Sequence, residues 1–283
     1  MFDYSEAFSR NLGWLTEKEQ NLLRGKRIAI AGLGGVGGSH LLTLCRLGIG
    51  KFHISDMDHF EIGNFNRQAG AFLSTVGQPK VDVLARMARD INPELELQTF
   101  EAGITLENMD AFLEGVDLYV DSLDFFELDI RRAMFAACAE RGIPALTAAP
   151  VGMGVAFLNF MPGKMTFEEY FRLEGASQEE QFVRFMVGLT PAMLQLGYLV
   201  DKERADFKAR KAPSTPMGCE LCAGVAATNA LKILCGRGRV LSAPRGLHFD
   251  AYRNKFSRTW RPGGNRNPVQ LAAIWLARKF VLD

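Results

Sequence analysis

A glycine-rich stretch near the N-terminus constrains the fold of this chain more than any other feature. Residues 28–40 read IAIAGLGGVGGSH, an apolar run that passes directly into glycines and then into a helical pattern. Glycines between a strand and a helix permit a tight turn and a close approach of the backbone to phosphate oxygens. The first N–H groups of the helix have no partner within it and can bind an anion. The stretch therefore predicts a nucleotide-binding turn, with its glycines against the nucleotide: Gly32, Gly34, Gly35 and Gly37.

Strand and helix patterns alternate after this turn. Apolar or β-branched runs predict strands at 27–31, 51–55, 95–100, 117–121 and 144–148. Helical patterns lie between them at 37–47, 79–90, 106–114 and 127–141. This alternation favours an α/β fold with a Rossmann-like, doubly wound and mainly parallel sheet, in which ligands bind at the carboxyl ends of the strands.

The character of the sequence changes after about residue 150. The later patterns predict a strand at 152–162, Phe- and Met-rich helical structure at 164–216, a helix at 219–236, a strand at 246–256 and a helix at 268–280. We accordingly divide the chain into four segments: a helical preface (1–25), a Rossmann-like nucleotide-binding core (26–162), a helical insertion (163–216) and a C-terminal part that completes the same domain (217–283).

Composition excludes several classes of function. The 283 residues include 33 basic and 32 acidic ones, a balance that gives no electrostatic case for nucleic acid or membrane binding as the main activity. Two local stretches, 204–211 and 253–266, are nonetheless rich in cations. The chain starts with charged residues and has no apolar run near the ~20 residues of a membrane span. We expect a cytoplasmic protein that binds no membrane and keeps its five cysteines reduced.

Charged and amide side chains follow the predicted strands at their carboxyl ends. Asp56 comes 19 residues after Gly37, where an acid binds ribose hydroxyls in dinucleotide folds. The glycine turn satisfies most of a dinucleotide's pyrophosphate, whereas a triphosphate needs cations such as a forked Arg and a compact Lys, together with Mg²⁺ on carboxylate oxygens. The residues that supply this chemistry are Asn64, Arg67, Gln68, Lys80, Asp121 and Asp124. They favour ATP over a nicotinamide dinucleotide.

These motifs together resemble the ThiF/MoeB/HesA family, the bacterial relatives of E1 ubiquitin-activating enzymes. The glycine turn, D-x-D at 56–58, N-x-N-R-Q at 64–68, G-x-x-K at 77–80 and D-x-x-D at 121–124 occur in the family's order. The likeness covers residues 5–160 well and 217–255 loosely.

The resemblance implies a role for each matching residue. Asp56, with Asp58 in the same motif, would bind the ribose side of ATP, and Arg67 and Lys80 would bind its phosphates beside Asn64 and Gln68. Asp124 would bind Mg²⁺ near the α-phosphate, in the motif that begins at Asp121. The resemblance also implies a homodimer, the usual state of family members, in which an N-terminal arginine reaches the partner subunit's ATP, and Arg10 matches that position.

The resemblance also implies the reaction, the adenylation of a carboxylate with release of pyrophosphate. A carboxylate is ionised at pH 7, so no general base is required, and His40, His53, His59 and His248 need no catalytic role. Charge screening and positioning by cations and Mg²⁺ are what the step requires. The acceptor would be the C-terminus of a ubiquitin-like sulfur-carrier protein or a peptide, and 163–216 would recognise it.

The cysteines depart from the family pattern. Many relatives bind zinc through two C-x-x-C pairs, whereas this chain has one, Cys219 and Cys222, and four thiolates cannot come from a single pair. We therefore expect no zinc. The two thiols are either buried small side chains or reactive groups at a helix N-terminus. Residues 139–218 contain no cysteine that could form a thioester, so we favour adenylation without an enzyme thioester.

Other functions remain open at this point. A tRNA threonylcarbamoyladenosine dehydratase-like enzyme is the second choice, with the cationic stretches then contacting tRNA. An NAD-dependent oxidoreductase is disfavoured by Arg67, Lys80 and Asp124, and a scaffold with a relic site by the presence of every matching charged residue. The sequence does not name the acceptor.

Overall fold

The computed structural model describes residues 1–201, 204 and 212–281, and the chain divides into two compact units. Unit one comprises Met1–Asp124 and Ala223–Val240, and unit two comprises Phe125–Cys222 and Leu241–Asp283. These units do not follow the four segments expected from sequence, because 26–162 contributes to both of them. The cationic stretch 204–211 lies outside the described residues except at position 204.

Unit one begins with two short helices, α1 (Tyr4–Ala7) and α2 (Glu17–Arg24), separated by a 3-10 turn at Ser9–Asn11. A capping box starts α2: the Glu19 N–H donates to Thr16 Oγ1 (3.2 Å), and the Thr16 N–H donates to Glu19 Oε2 (2.8 Å). This reciprocal pair satisfies two N–H groups at the start of the helix. Two short helices thus lie within residues 1–25, which the sequence predicts to be a helical preface.

The sheet of unit one consists of four parallel strands, β1 (Arg27–Ala31), β2 (Lys51–Ser55), β3 (Glu96–Phe100) and β4 (Leu118–Asp121). Their order is β3-β2-β1-β4, so the chain reverses direction across the sheet at β1 and β4. Such a reversal opens a crevice at the carboxyl ends of these strands, where α/β proteins bind ligands. The four strands and their doubly wound order agree with the sequence prediction, which expects the nucleotide at this edge.

The connecting helices are α3 (Gly37–Arg46), α4 (Lys80–Ile91) and α5 (Met109–Phe112). The first two agree with prediction, whereas the helix predicted at 106–114 is a single turn. Its beginning is replaced by a local turn, in which Asn108 accepts from the Thr105 N–H (2.9 Å) and donates to the Gly103 carbonyl (2.8 Å). Such bonds between an Asn side chain and nearby backbone compete with helix formation.

Unit two contains four antiparallel strands, β5 (Ala145–Val151), β6 (Gly154–Phe160), β7 (Arg245–Asp250) and β8 (Lys255–Trp260), in that order. The single strand predicted at 246–256 is therefore wrong, because the chain turns there. Asp250 Oδ1 accepts from the Arg253 N–H (2.9 Å), and Asn254 adopts a left-handed backbone (φ 52°). Asp and Asn favour such turns because their side chains bond locally. The α/β class is confirmed.

The helices of unit two include α6 (Leu128–Glu140), α7 (Phe167–Phe171), α8 (Gln178–Leu189) and α10 (Pro268–Val281). The sequence predicted helical structure throughout 164–216, but α7 ends after one turn at Arg172, whose backbone is left-handed (φ 60°).

The aromatic richness of this segment is explained by packing. The ring centroids of Phe167 and Phe171 are 4.5 Å apart, and those of Phe171 and Phe185 are 5.0 Å apart. All three side chains are buried. Aromatic pairs at these distances contribute to a core. The assignment of 163–216 to acceptor recognition stays a prediction.

Helix α9 (Pro216–Leu234) carries Cys219 and Cys222 in its first two turns. By length and composition this helix meets the requirements for a membrane span, and 44% of its apolar stretch is buried. A buried helix of a protein core meets the same requirements, so this is weak evidence for a membrane.

The burial of His40 on α3 generates a prediction about stability. The side chain is fully buried, neither ring nitrogen has a partner among the described residues, and burial lowers its pKa from 6.5 to about 3. The unfolded chain therefore gains a proton at this residue below about pH 6.5, while the folded chain stays neutral until about pH 3. This contribution to stability is present above pH 6.5 and is lost as the pH falls towards 3.

We expect His40→Leu to make the free energy of unfolding less dependent on pH between 6.5 and 5, by about 1.1 kcal/mol per pH unit on average. Urea denaturation of both proteins at pH 7, 6 and 5 measures this difference. His59→Gln, at an exposed histidine of the same unit, is the control and should leave the slope unchanged. Equal slopes for His40→Leu and the unaltered chain would contradict the prediction.

Candidate active site

Strand register assembles the candidate site at the carboxyl edge of the unit-one sheet. Ala31, the last residue of β1, lies opposite Ser55 on one side and Asp121 on the other. The Gly32 N–H then donates to the Ser55 carbonyl (2.8 Å), and the Ser122 N–H donates to the Ala31 carbonyl (3.0 Å). The residues that come directly after the three strands are therefore brought side by side.

At two positions of the glycine turn there is no room for a residue larger than glycine. A Cβ on Gly37 would lie 1.8 Å from the Gly32 carbonyl oxygen. Gly32 itself has a left-handed backbone (φ 86°), and a Cβ there would lie 2.3 Å from the Ser122 carbonyl oxygen. Gly34 and Gly35 complete the turn before α3. Val36 precedes this helix and provides no side-chain cap, and a helix N-terminus of this kind is where the sequence predicts that an anion binds.

Asp56 is fixed against this turn by backbone donors. Its Oδ2 accepts from the Leu33 N–H (2.6 Å), and its Oδ1 accepts from the Asp58 N–H (2.8 Å). Each carboxylate oxygen has a second lone pair, which leaves the group able to accept hydrogen bonds from hydroxyls. The position agrees with the ribose-binding role that the sequence predicts.

Lys80 is held close to the same segment. It is the first residue of α4, its side chain is only 7% exposed, and its Nζ lies 2.9 Å from Asp58 Oδ2. The Lys80 N–H also donates to the Asp58 carbonyl (2.9 Å). Two contacts thus join the end of the β2 loop to the start of α4. An ammonium in this position is a compact charge for a phosphate.

The 3-10 turn Ile62–Asn64 begins the polar segment that carries Arg67 and Gln68. Asn64 shapes it, because its Oδ1 accepts from the Glu61 N–H (3.0 Å). Arg67 is half-buried and donates to Asn66 Oδ1 (2.9 Å) and to the Gly63 carbonyl (3.3 Å). In this structure its guanidinium therefore contacts neutral oxygens.

Two buried polar atoms beside the glycine turn have no partner among the described residues. They are Gln68 Oε1 and Ser122 Oγ. The Gln68 amide lies against Gly34, and Ser122 Cβ against Gly37. Buried polar groups are normally hydrogen-bonded, so these two atoms indicate that the crevice is completed by a polar ligand. A nucleotide offers donors and acceptors for both.

Ser122 is a site residue that the sequence did not predict. A signal for it was present, since it lies inside the D-x-x-D motif, but the charge pattern that identified the two acids does not extend to a hydroxyl.

Asp121 is buried, and the Leu123 N–H lies 3.4 Å from its Oδ1. Asp124 is exposed three residues beyond β4. The strand register places Asp121 at the same edge as Gly32, and Asp124 follows three residues later along the chain.

The candidate site offers few protein ligands for Mg²⁺. Among the described residues there is no group of three or more His, Cys, Asp or Glu side chains that could hold a metal. Mg²⁺ usually takes one or two carboxylates together with substrate phosphates and water. The chemistry of Asp124, an exposed carboxylate at this edge, fits that mode.

Arg10 lies apart from these contacts. It is exposed on the 3-10 turn Ser9–Asn11 and lines a cavity of about 480 Å³ with Phe8, Arg46 and Asp90. None of the other predicted nucleotide-binding residues lines that cavity.

Cys219 and Cys222 lie on α9 and are fully buried. Burial raises the pKa of the Cys222 thiol well above its usual range. Both observations favour the interpretation of the pair as packed side chains over reactive thiolates, since the thiolate is the reactive form. The expected absence of zinc stays a prediction.

Comparison with known proteins identifies the family. The model of the ThiF family matches residues 8–270. This chain is a member of the ThiF family. The match extends over nearly the whole chain and includes every residue of the glycine turn and of the polar segment. The resemblance inferred from the sequence motifs is therefore confirmed.

Relatives of this ThiF-family chain are named for different activities. The chain is 36% identical to tRNA threonylcarbamoyladenosine dehydratase of Bacillus subtilis over 142 residues, which is 50% of the chain and 55% of that protein. It is 33% identical to ubiquitin-like modifier-activating enzyme 5 of Drosophila ananassae over 242 residues, which is 79% of the chain and 54% of that protein. The chain thus spans about half the length of the curated relatives it matches.

Solved structures share the fold. MccB of E. coli in complex with MccA superposes with a TM-score of 0.69 at 20% identity, covering 92% of this chain and 73% of that one. TcdA, the E. coli tRNA N6-threonylcarbamoyladenosine dehydratase, gives 0.59 at 22% identity, covering 82% and 95%. At these identities the likeness concerns the fold alone.

The close approach of Gly37 to Gly32 generates the next prediction. We expect Gly37→Ala to weaken ATP binding at least tenfold, because the new methyl group would meet backbone that cannot rotate away, and the turn must shift. Calorimetric titration with ATP measures the change. Gly63→Ala is the matched control, since its Cβ would meet nothing within 4 Å. Unaltered ATP affinity in Gly37→Ala would show that the nucleotide does not depend on this turn.

Proposed function

We propose that this chain is an E1-like enzyme that uses ATP and Mg²⁺ to adenylate a carboxylate, forming an acyl-adenylate and pyrophosphate. The carboxylate we favour is the C-terminus of a ubiquitin-like protein or a peptide. The relatives support this choice, since one is named for activating a ubiquitin-like modifier and MccB has been solved with ATP and with MccA.

One observation carries the proposal: the buried Lys80 ammonium, which is paired with Asp58 in the loop that follows β2. A buried ammonium is costly unless it is paired. Its partner, Asp58, is 62% exposed, so this carboxylate can be released into water at little cost. The arrangement holds a cation ready for a stronger anionic partner, which a triphosphate is.

The proposed reaction needs charge screening rather than proton transfer. The acceptor carboxylate and the α-phosphate are both anionic, and the carboxylate oxygen forms a bond to phosphorus as the bond to pyrophosphate breaks. Arg67 and Lys80 would bind phosphate oxygens, Asp56 the ribose and Asp124 the Mg²⁺, which would supply further positive charge. Electrostatic stabilisation of this kind is usually the largest catalytic contribution.

We expect Lys80→Ala to lower ATP–pyrophosphate exchange about 100-fold or more, since loss of one preorganised donor has that order of effect. The fold should remain, because Asp58 is exposed and stays solvated. Radiolabelled pyrophosphate exchange with ATP, Mg²⁺ and candidate acceptors measures the activity. Lys51→Ala is the control, as Lys51 starts β2 and pairs with the exposed Glu96. Exchange at the normal rate in Lys80→Ala would reject the assignment.

We also propose that the enzyme is a homodimer. Unit one exposes large apolar side chains in the segment between β2 and α4, namely Ile62, Phe65, Phe72, Leu73 and Val76, with Trp14 exposed near Arg10 in sequence. Clustered exposed apolar residues in one segment are typical of an interface. We propose that a second copy covers this segment and that its N-terminal region lies close to Arg67.

Subunit mixing tests whether Arg10 acts on the partner's ATP. We expect Arg10→Ala and Lys80→Ala to be inactive separately and to regain pyrophosphate exchange when mixed, unfolded and refolded together. In the mixed dimer, one site combines an intact Lys80 with the intact Arg10 of the other chain. Exchange should approach about a quarter of the normal rate, because half of the dimers are mixed and each has one complete site. No recovery would exclude action between subunits.

A tRNA dehydratase-like activity is the second candidate. The 36% identity to the Bacillus subtilis enzyme over half of the chain favours it. In that case ATP turnover would depend on tRNA carrying threonylcarbamoyladenosine and not on a protein or peptide C-terminus. The exchange assay with each acceptor in turn separates the two functions.

A further inference from the structure

A small cavity in unit two is lined by an excess of arginines. It has a volume of about 180 Å³ and lies between the end of α7, α8, the 3-10 turn Gly264–Arg266 and α10. Its lining includes four arginines and one carboxylate: Arg172, Arg184, Arg266, Arg278 and Glu180. No residue of the candidate active site lines it.

Glu180 engages two of these arginines. Arg184 Nε donates to Glu180 Oε1 (2.6 Å), and Arg278 donates through Nε to Oε2 (2.6 Å) and through Nη2 to Oε1 (2.5 Å). The Glu180 side chain is only 13% exposed. Burial by itself would raise the pKa of this carboxyl, but the hydrogen bonds from Arg278 and Arg184 hold it below its usual range. One carboxylate thus neutralises part of the charge of Arg184 and Arg278.

The other two arginines have no such partner. The side chains of Arg172 and Arg266 make no hydrogen bond or ion pair to the residues that the structure describes. The backbone of Arg172 is left-handed, a conformation that costs energy in a non-glycine residue, and Arg184 donates to its carbonyl. The cavity lining carries a formal charge of four positive groups and one negative group, +3 in total.

We propose that this cavity is a second anion site that binds a phosphate group, either free phosphate or the head of a phosphomonoester. Guanidinium groups bind phosphate oxygens through paired hydrogen bonds. At about 30 Å³ per water, the volume would hold roughly six waters, which is enough for a phosphate and part of the group that carries it. A monoester carries about −1.5 to −2 charges at pH 7. It matches the excess charge better than a diester, which carries one.

The site is independent of the proposed adenylation, so its test removes the nucleotide site first. The parent protein is the full chain with Arg67→Ala and Lys80→Ala, which takes away the two cations of the crevice. Calorimetric titration with inorganic phosphate, methyl phosphate and dimethyl phosphate, at constant ionic strength set with chloride, compares dianions with a monoanion. We expect binding of both dianions, with dimethyl phosphate at least about tenfold weaker.

Substitution of the unpaired arginines should weaken binding of phosphate. We expect Arg172→Gln and Arg266→Gln each to raise the Kd for methyl phosphate about fivefold or more in the parent protein. Arg258→Gln, an exposed arginine of unit two outside the cavity, should have no effect. Thermal unfolding of each variant verifies that it is folded. Absence of phosphate binding, or equal affinity in all three variants, would overturn the proposal.

Glu180→Gln provides the converse test. Removal of this carboxylate frees Arg184 and Arg278, so we expect methyl phosphate to bind about three- to tenfold more tightly. If the arginines served only to hold α8 against α10, the variant would lose stability without any gain in affinity. A folded Glu180→Gln protein with unaltered or weaker phosphate binding would therefore contradict the proposal. Equal affinities for inorganic and methyl phosphate would identify the phosphate group itself as the ligand, and tighter binding of methyl phosphate would favour a monoester.

Discussion

The approach of the Gly37 backbone to the Gly32 carbonyl is the constraint on which the candidate active site depends. At this separation no side chain can enter the turn, so only glycine is accommodated where the chain passes from β1 into α3. Ser122, which directly follows β4, also lies against this turn, because a Cβ on Gly37 would be 3.2 Å from the Ser122 Cβ. Strand register then fixes Asp56 on the other side, with the Leu33 N–H as its anchor. A few backbone contacts thus position side chains from three strands.

The cations of the site are arranged so that binding of a phosphate requires little reorganisation. Lys80 has already lost most of its water, and an exposed carboxylate, Asp58, balances its charge until a ligand replaces it. Among the described residues, the Arg67 guanidinium donates to two neutral oxygens of its own turn, and these can be exchanged for phosphate oxygens. The free-energy cost of desolvating Lys80 is therefore met during folding rather than during ligand binding. The site is preorganised in this sense.

The sequence predicted the elements of the fold correctly where the local residue pattern and the long-range structure agree. The four parallel strands, and the position of Asp56 directly after β2, were predicted because strand ends converge at one edge of such a sheet. The nucleotide-binding roles of Arg67 and Lys80 stay predictions. Ser122 was missed because its significance comes from contact with the glycine turn, which no local pattern contains. The hairpin at 250–254 was read as one strand because aromatic residues on both sides of the turn maintain a strand-like composition. The Phe-rich helices could be placed in a core only by their ring contacts.

The buried cysteines bear on the fate of the acyl-adenylate. A thioester requires a thiolate that can reach the acyl-adenylate, whereas Cys219 and Cys222 are fully buried and burial raises the pKa of Cys222. An enzyme that keeps both thiols enclosed and raises the pKa of Cys222 has no accessible thiolate there to compete for the activated carboxylate. The acyl-adenylate proposed above would then pass directly to a nucleophile from outside the chain. Exclusion of water from the crevice, rather than covalent capture, would be what preserves it until that nucleophile arrives.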